Sequence, residues 1–126
     1  MSRTEPIATF SIVAYDPHKK EWGVAVQSKF LACAAVVSWA RAGAGAVATQ
    51  SFANVAYGSD GLNMMEGGMS ATDAIEALTA ADENRAQRQA GMVDRNGRAA
   101  AFTGEGCYDW AGHIVGESFA CQGNIL

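Results

Sequence analysis

A chain of 126 residues with 49% hydrophobic and 17% charged residues has the composition of a single globular domain. Its formal net charge of −4 argues against nucleic acid and against an anionic membrane surface as partners. No apolar run reaches the roughly 18 residues of a membrane-spanning helix, so the sequence predicts no span.

The beginning of the chain and its cysteines both indicate the cytoplasm. Met1–Pro6 lacks the apolar core of a secretory signal peptide. The three cysteines are widely spaced and form no CxxC pair, which favours free thiols in a reducing compartment. The two histidines, His18 and His113, do not have the spacing of metal ligands. We therefore expect a cytoplasmic protein without a metal or an organic cofactor.

The first predicted element is a β-hairpin. Two β-rich segments, Thr9–Asp16 and Trp22–Lys29, flank a short charged loop that opens with Asp-Pro. Both faces of the first segment are largely apolar, so we expect a strand that is covered on both sides. In an antiparallel pair, the start of one strand lies beside the end of the other. The hydroxyl of Thr9 is therefore predicted to lie next to the polar run Gln27–Lys29.

Two more strands are predicted next, over Ala34–Arg41 and Ala46–Ser51, with a turn at Gly43 and Gly45 between them. The glycine pattern from Gly43 to Ala48 also matches the dinucleotide-binding fingerprint formally. That fingerprint requires a helix to begin within it. Because β-type residues follow instead, the sequence favours a glycine turn between two strands.

Two helices are predicted after the fourth strand. The first runs through Leu62 and Met65, and either Asn54 or Ser59 can serve as its N-cap. The second begins at the capping box Ser70–Asp73 and continues with apolar residues at helical spacing. The second helix is the better defined of the two.

The remaining segments are predicted to be strands. Asn96-Gly97 is a strong hairpin signal between Gln89–Asp94 and Arg98–Thr103. Two further strands, His113–Val115 and Ser118–Cys121, follow. The order of strands, helices and strands indicates an α+β fold with mainly antiparallel sheets.

The end of the sequence, Gln122–Leu126, is apolar to its last residue and has no turn or polar tail. The predicted strands suffice for two sheets, whereas the predicted helices can cover only one face. We interpret this as a domain that is incomplete at the C-terminus. The alternative is that a partner in an oligomer covers the bare face.

Thr9 taken alone is predicted to be structural, because threonine is common in strands. A resemblance changes this interpretation. The segments that carry it are Thr9–Asp16, Trp22–Phe30, Trp39–Gln50, Ala99–Gly104, Asp109–His113 and Gln122–Leu126. Through them the chain from Thr9 to Leu126 resembles a bacterial family of unknown function that is grouped with the N-terminal-nucleophile (Ntn) hydrolases.

The resemblance implies a four-layer αββα sandwich, with residues 1–8 as a leader and residues 9–126 as the domain. Thr9 would be the nucleophile once the leader is removed. Its freed α-amine, with a pKa of about 7.7–8.0, would act as general base for its own hydroxyl. As long as Ala8 precedes it, the nitrogen of Thr9 is an amide and this mechanism cannot operate.

The resemblance also implies roles for other residues. Arg41 replaces a lysine that keeps such sites electropositive, and it would act only as a fixed charge. Ser51 is expected at the oxyanion hole, with Gln50 and Asn54 beside it. The further residues expected to bind the substrate or the amine are Gln27, Ser28, Lys29, Gly123 and Asn124.

Two hypotheses follow from the sequence. The first is an amide hydrolase that acts on a small amide or peptide at an edge where Thr9, Lys29, Arg41 and Ser51 converge. The second is a non-catalytic protein of the same fold. It would bind a small anion through Lys29 and Arg41, or assemble as a homo-oligomer.

Overall fold

The computed structural model describes residues 8–29 and 31–126, which form eight strands and three α-helices. A 3₁₀ turn, Arg85–Gln87, precedes the fifth strand. The elements in chain order are β1 Thr9–Asp16, β2 Glu21–Ser28, α1 Ala34–Val37, β3 Ser38–Arg41, β4 Gly45–Ser51, α2 Ala56–Glu66, α3 Ala71–Ala80, β5 Arg88–Asp94, β6 Ala99–Thr103, β7 Gly112–Gly116 and β8 Phe119–Asn124.

The described strands form two antiparallel sheets of four strands each. The first sheet has the order β2-β1-β8-β7 and the second has the order β3-β4-β5-β6. Thr9 pairs with Ser28 on β2 and with Asn124 on β8, which confirms the predicted hairpin register. The central strand of the first sheet therefore begins between the ends of its two neighbours.

The two sheets pack face to face over a small apolar core. Along β1, Thr9, Ser11 and Val13 are buried and point between the sheets, whereas Phe10 and Ile12 alternate with them on the outer face. Val13 forms a cluster with Ala120 of the first sheet, with Val37 of α1, and with Ala46, Ala48 and Val93 of the second sheet. The first residues of β1 are thus the polar end of an otherwise apolar interface.

Helices α2 and α3 cover the outer face of the second sheet, where Met65, Leu78 and Met92 belong to the larger core cluster. The predicted cap of α3 is confirmed, because the Ser70 hydroxyl accepts a hydrogen bond from the backbone N–H of Asp73 at 3.1 Å. None of the helices in the described ranges is long and apolar enough to cross a membrane.

The predicted αββα sandwich is wrong. The longer helices α2 and α3 both pack against the second sheet, and the outer face of the first sheet carries exposed side chains such as Phe10 and Ile114. The layers of the described residues are therefore sheet, sheet and helix. The physical reason is that the described chain after Ala80 contributes a 3₁₀ turn and strands, so none of its α-helices covers the outer face of the first sheet.

The predicted third strand is correct only from Ser38 to Arg41, because Ala34–Val37 forms the helical turn α1. Side chains close this turn: the Ser38 hydroxyl donates to the carbonyl of Ala34 at 2.7 Å, and the Trp39 indole donates to the carbonyl of Val36 at 2.9 Å. Such local bonds compete with strand formation. The glycine turn that follows β3 is confirmed, with Gly43 at φ +75°.

Candidate functional site

The Thr9 side chain lies at the start of β1 and is only 8% exposed. Its Oγ1 is 2.9 Å from the Oγ of Ser28. Asn124, on the opposite neighbouring strand, is buried on the same face of the sheet. Cross-strand neighbours on one face have Cβ atoms about 4.5–5.5 Å apart, so the three side chains form a row. The hydroxyl of Thr9 is thus flanked by a second hydroxyl and an amide.

A buried network of side-chain amides connects this row to the second sheet. Nε2 of Gln89 donates to the carbonyls of Gly112 at 3.0 Å and Gly123 at 2.8 Å. Because carbonyls only accept, the Gln89 amide can have one orientation. Its Oε1 accepts from Nε2 of Gln50 at 2.8 Å and from Nδ2 of Asn124 at 2.9 Å. Two backbone carbonyls therefore set the direction of the amide beside Thr9.

The same logic extends to Ser11 and Gln122. Oε1 of Gln50 accepts from the Ser11 hydroxyl at 2.7 Å, and that hydroxyl accepts from Nε2 of Gln122 at 2.7 Å. Oε1 of Gln122 is left as a buried oxygen without a hydrogen-bond partner within the described ranges. The sequence analysis missed Ser11, Gln89 and Gln122. The available signal was a polar residue at an inward position of an apolar strand.

His113 is connected to this network through Thr103. Nε2 of Gln89 donates to Oγ1 of Thr103 at 3.0 Å, and this oxygen lies 2.9 Å from Nδ1 of His113. Among residues 8–29 and 31–126, no three His, Cys, Asp or Glu side chains are grouped so that they could hold a metal ion.

Two of the predicted substrate residues at the end of β2 do not face the Thr9 hydroxyl. Gln27 is exposed and lines a trough of about 630 Å³ on the outer face of the first sheet, together with Phe10, Trp110 and Leu126. Lys29 is exposed just beyond the strand. Strand alternation explains this, because only every second residue points between the sheets. Of the predicted trio, the structure brings Ser28 to Thr9.

The structure places Arg41 away from Thr9, contrary to the predicted convergence. Arg41 pairs with Gly45 at the start of β4, whereas Ser51 is at the opposite end of that strand. Nη1 of Arg41 donates to Oδ1 of Asn63 and to Oε2 of Glu66, both at 2.8 Å. The reason is the antiparallel pairing of β3 and β4, which puts the end of one strand beside the start of the other.

The other predicted residues lie nearer to Thr9. Gln50 belongs to the amide network, and Ser51 ends β4 with φ +67°. The Asn54 side chain accepts from the backbone N–H of Ala56 at 3.0 Å, so it is engaged in starting α2. Gly123 and Asn124 are the last two residues of strand β8, and Asn124 pairs with Thr9.

Ser51 pairs with Arg88 at the start of β5, so Arg88 lies at the same end of the sandwich as Thr9. The Arg88 guanidinium and the Tyr57 hydroxyl donate to Oδ2 of Asp82 at 2.8 and 2.7 Å. The hydrogen bond from Arg88 holds the pKa of the Asp82 carboxyl well below its ordinary value. Burial, followed by the bond to Asp82, raises the pKa of Tyr57. We call the end of the sandwich that holds Thr9, Ser51, Arg88 and Asn124 the Thr9 margin.

Comparisons with known proteins give a family and a fold but no activity. No curated protein matches the chain. The crystal structure of protein SPO2555 from Silicibacter pomeroyi is similar, with a TM-score of 0.90 and 33% identity over 94% of this chain and 55% of that one. This chain therefore spans about half the length of that protein. The family of unknown function DUF1028 matches residues 9–126, and the chain belongs to this family.

Proposed function

We propose that this protein is an amide hydrolase of the N-terminal-nucleophile type, in which Thr9 is the nucleophile after residues 1–8 are removed. The observation that carries the proposal is the position of the Thr9 hydroxyl, which is nearly buried, 2.9 Å from Ser28, and paired across the sheet with Asn124. The family match, which begins at Thr9, supports it.

The reaction requires only the freed residue and water. The α-amine of Thr9, with a pKa of about 7.7–8.0, takes the proton of the hydroxyl while Oγ1 attacks the carbonyl carbon of the substrate amide. The resulting ammonium returns that proton to the leaving amine as the C–N bond breaks. Water then hydrolyses the threonyl ester, which releases the acid and restores the hydroxyl.

Neutral hydrogen bonds around Thr9 support this reaction by orienting the groups beside it. Ser28 orients the hydroxyl, and the Gln89–Asn124 bond fixes the amide on the other side. Arg41 is outside this arrangement, because it is bound to Glu66.

Mass spectrometry of purified protein tests the proposal. A β-lactone probe, which acylates hydroxyl nucleophiles, is applied to the full chain and to a version in which Thr9 directly follows the initiator methionine. We expect loss of residues 1–8 or of the methionine, and one acyl group on Thr9. Thr9→Ser should keep the label and any amidase activity, and Thr9→Ala should lose both. A freed Thr9 that stays unlabelled, or turnover by Thr9→Ala, contradicts the proposal.

The non-catalytic hypothesis includes anion binding and assembly as a homo-oligomer, and the two are not equally supported. Binding of an anion by Lys29 and Arg41 together is disfavoured, because Arg41 is paired with Glu66 at the far end of β4. Assembly with a second copy is favoured by the uncovered face of the first sheet, where Phe10 is 52% exposed. Sedimentation velocity of the wild type and of Ile12→Glu tests it. Identical monomeric profiles for both would exclude assembly through this face.

A further inference from the structure

Two aromatic side chains at the Thr9 margin pack against each other and remain open to solvent. The rings of Phe52 and Tyr108 meet edge to face, with centroids 6.1 Å apart and an interplanar angle of 77°. Their exposed fractions are 48% and 57%. We call this pair the aromatic rim. It offers apolar ring surface of which about half is open to solvent.

Two backbone connections link the aromatic rim to strand ends at the Thr9 margin. The N–H of Ile125 donates to the carbonyl of Tyr108 at 3.1 Å, and Ile125 directly follows Asn124, the cross-strand partner of Thr9. Phe52 directly follows Ser51, the last residue of β4. Phe52 is therefore one residue beyond the end of β4, and the backbone of Tyr108 is hydrogen-bonded to the residue that follows β8.

Arg88 holds both halves of the aromatic rim in place. Its Nη1 donates to the carbonyl of Phe52 at 2.7 Å. Its own carbonyl accepts from the N–H of Gly104 at 2.9 Å and from Sγ of Cys107 at 3.3 Å, in the loop that carries Tyr108. The backbone segments that carry the two rings are thus held in place by Arg88. Binding to a preorganised surface loses less conformational entropy.

The charge of the loop limits what can bind. Residues 104–112 contain two carboxylates, Glu105 and Asp109, and no lysine or arginine. The only described cation that bonds to the rim is Arg88, and its guanidinium is bound to Asp82 and to the carbonyl of Phe52. Glu105 and Asp109 therefore disfavour a carboxylate on the part of a ligand that lies against this loop.

We propose that the aromatic rim binds the aromatic acyl group of an uncharged amide, whose carbonyl is then presented to Thr9. The presentation of the carbonyl to Thr9 rests on the proposed function, whereas the binding of the aromatic ring to the rim does not. A ring packed on an existing aromatic pair gains about 0.5–1.5 kcal/mol, which corresponds to roughly a threefold to tenfold effect on affinity.

The test measures binding to the full chain carrying Thr9→Ala, so that hydrolysis does not interfere. Phenylacetamide, isobutyramide and 4-carboxyphenylacetamide are titrated by ligand-observed NMR. We expect phenylacetamide to bind most tightly by about threefold to tenfold. Adding Phe52→Ala or Tyr108→Ala should remove this preference, whereas Tyr108→Phe should retain it. Ile114→Ala, which removes an exposed apolar side chain on the first sheet, should have no effect.

Several outcomes would contradict ligand binding at the aromatic rim: no measurable binding, equal affinity for the three amides, or a preference that survives Phe52→Ala and Tyr108→Ala. If an alanine variant melts at a lower temperature, Phe52→Leu replaces it, since leucine keeps the apolar volume and removes the ring. Failure of the nucleophile gives a different result. Ring-selective binding would persist, while the protein with a free Thr9 would neither be acylated nor turn over phenylacetamide.

Discussion

Nδ2 of Asn124 donates a 2.9 Å hydrogen bond to Oε1 of Gln89, and this bond joins the first sheet to the second beside Thr9. Gln89 is fully buried, and both ends of its amide are occupied. Neither end can therefore be replaced by water without opening the interface between the sheets. The orientation of Asn124 depends on a residue that the sequence analysis did not select.

Replacing Gln89 is expected to destabilise the fold, and the choice of substituent should decide the pH dependence. Gln89→Leu leaves several buried polar groups without partners, at roughly 1–3 kcal/mol each, so we expect a loss of at least about 3 kcal/mol. Urea denaturation at pH 5 and pH 8 should give the same loss for this variant.

Gln89→Glu provides the matched comparison. Burial favours the uncharged acid and raises the pKa of a buried glutamate above the unfolded value near 4.3. The stability of this variant relative to wild type should then fall as the pH rises above about 4.3. A loss for Gln89→Glu that is equal at pH 5 and pH 8 would show that position 89 is hydrated.

Gly91 is predicted to be replaceable only at a cost. A Cβ at this position would collide with the buried amide of Gln122, although the backbone itself is ordinary. We expect Gly91→Ala to lower the free energy of unfolding by about 1–3 kcal/mol. Gly23→Ala is the control, because a Cβ there meets nothing within 4 Å. Equal melting temperatures for the two variants would rule out the predicted collision.

Local signals accounted for much of the strand pattern. The Asp-Pro loop and the Asn96-Gly97 turn each act within a few residues, and the structure pairs Thr9 with Ser28 as the first of these signals indicates. The prediction that β1 is covered on both faces is wrong, because Phe10 on its outer face is 52% exposed. The capping box of α3 is equally local. These interactions join residues that are close together in the sequence, so a local sequence pattern can specify them.

The layer order and the site depend on distant contacts. Gln122 and Ser11, which share a hydrogen bond, are 111 positions apart, and Gln50 and Gln89 are 39 apart. A polar residue inside a strand does not reveal its partner on the other sheet. Arg41 illustrates the same limit. Its place in β3 was predicted, but the side that it faces follows from packing against α2.

Ser28→Ala is expected to slow acylation of Thr9 once its amine is free. The Ser28 hydroxyl lies 2.9 Å from Oγ1 of Thr9, and one neutral hydrogen bond contributes about 1 kcal/mol. We therefore expect the rate of β-lactone labelling to fall by about fivefold. Ser59→Ala, a serine on α2, is the control and should label at the wild-type rate. An unchanged rate in Ser28→Ala would mean that this hydroxyl does not orient the nucleophile.

The Asp82–Arg88 pair is expected to contribute stability that disappears in acid. The exposed fractions of the two side chains are 9% and 15%, so the pair is largely buried. Removing one partner of a buried pair costs about 3 kcal/mol, which we expect for Asp82→Asn at pH 7. The folded pKa of Asp82 is depressed, so its contribution is complete above the unfolded value near 3.9 and is lost as the pH falls further. Urea denaturation of wild type and Asp82→Asn should therefore show a constant difference from pH 7 to about pH 5 and a smaller one below pH 4. A difference that stays constant down to pH 2.5 would mean that the carboxyl gains no stability from its charge.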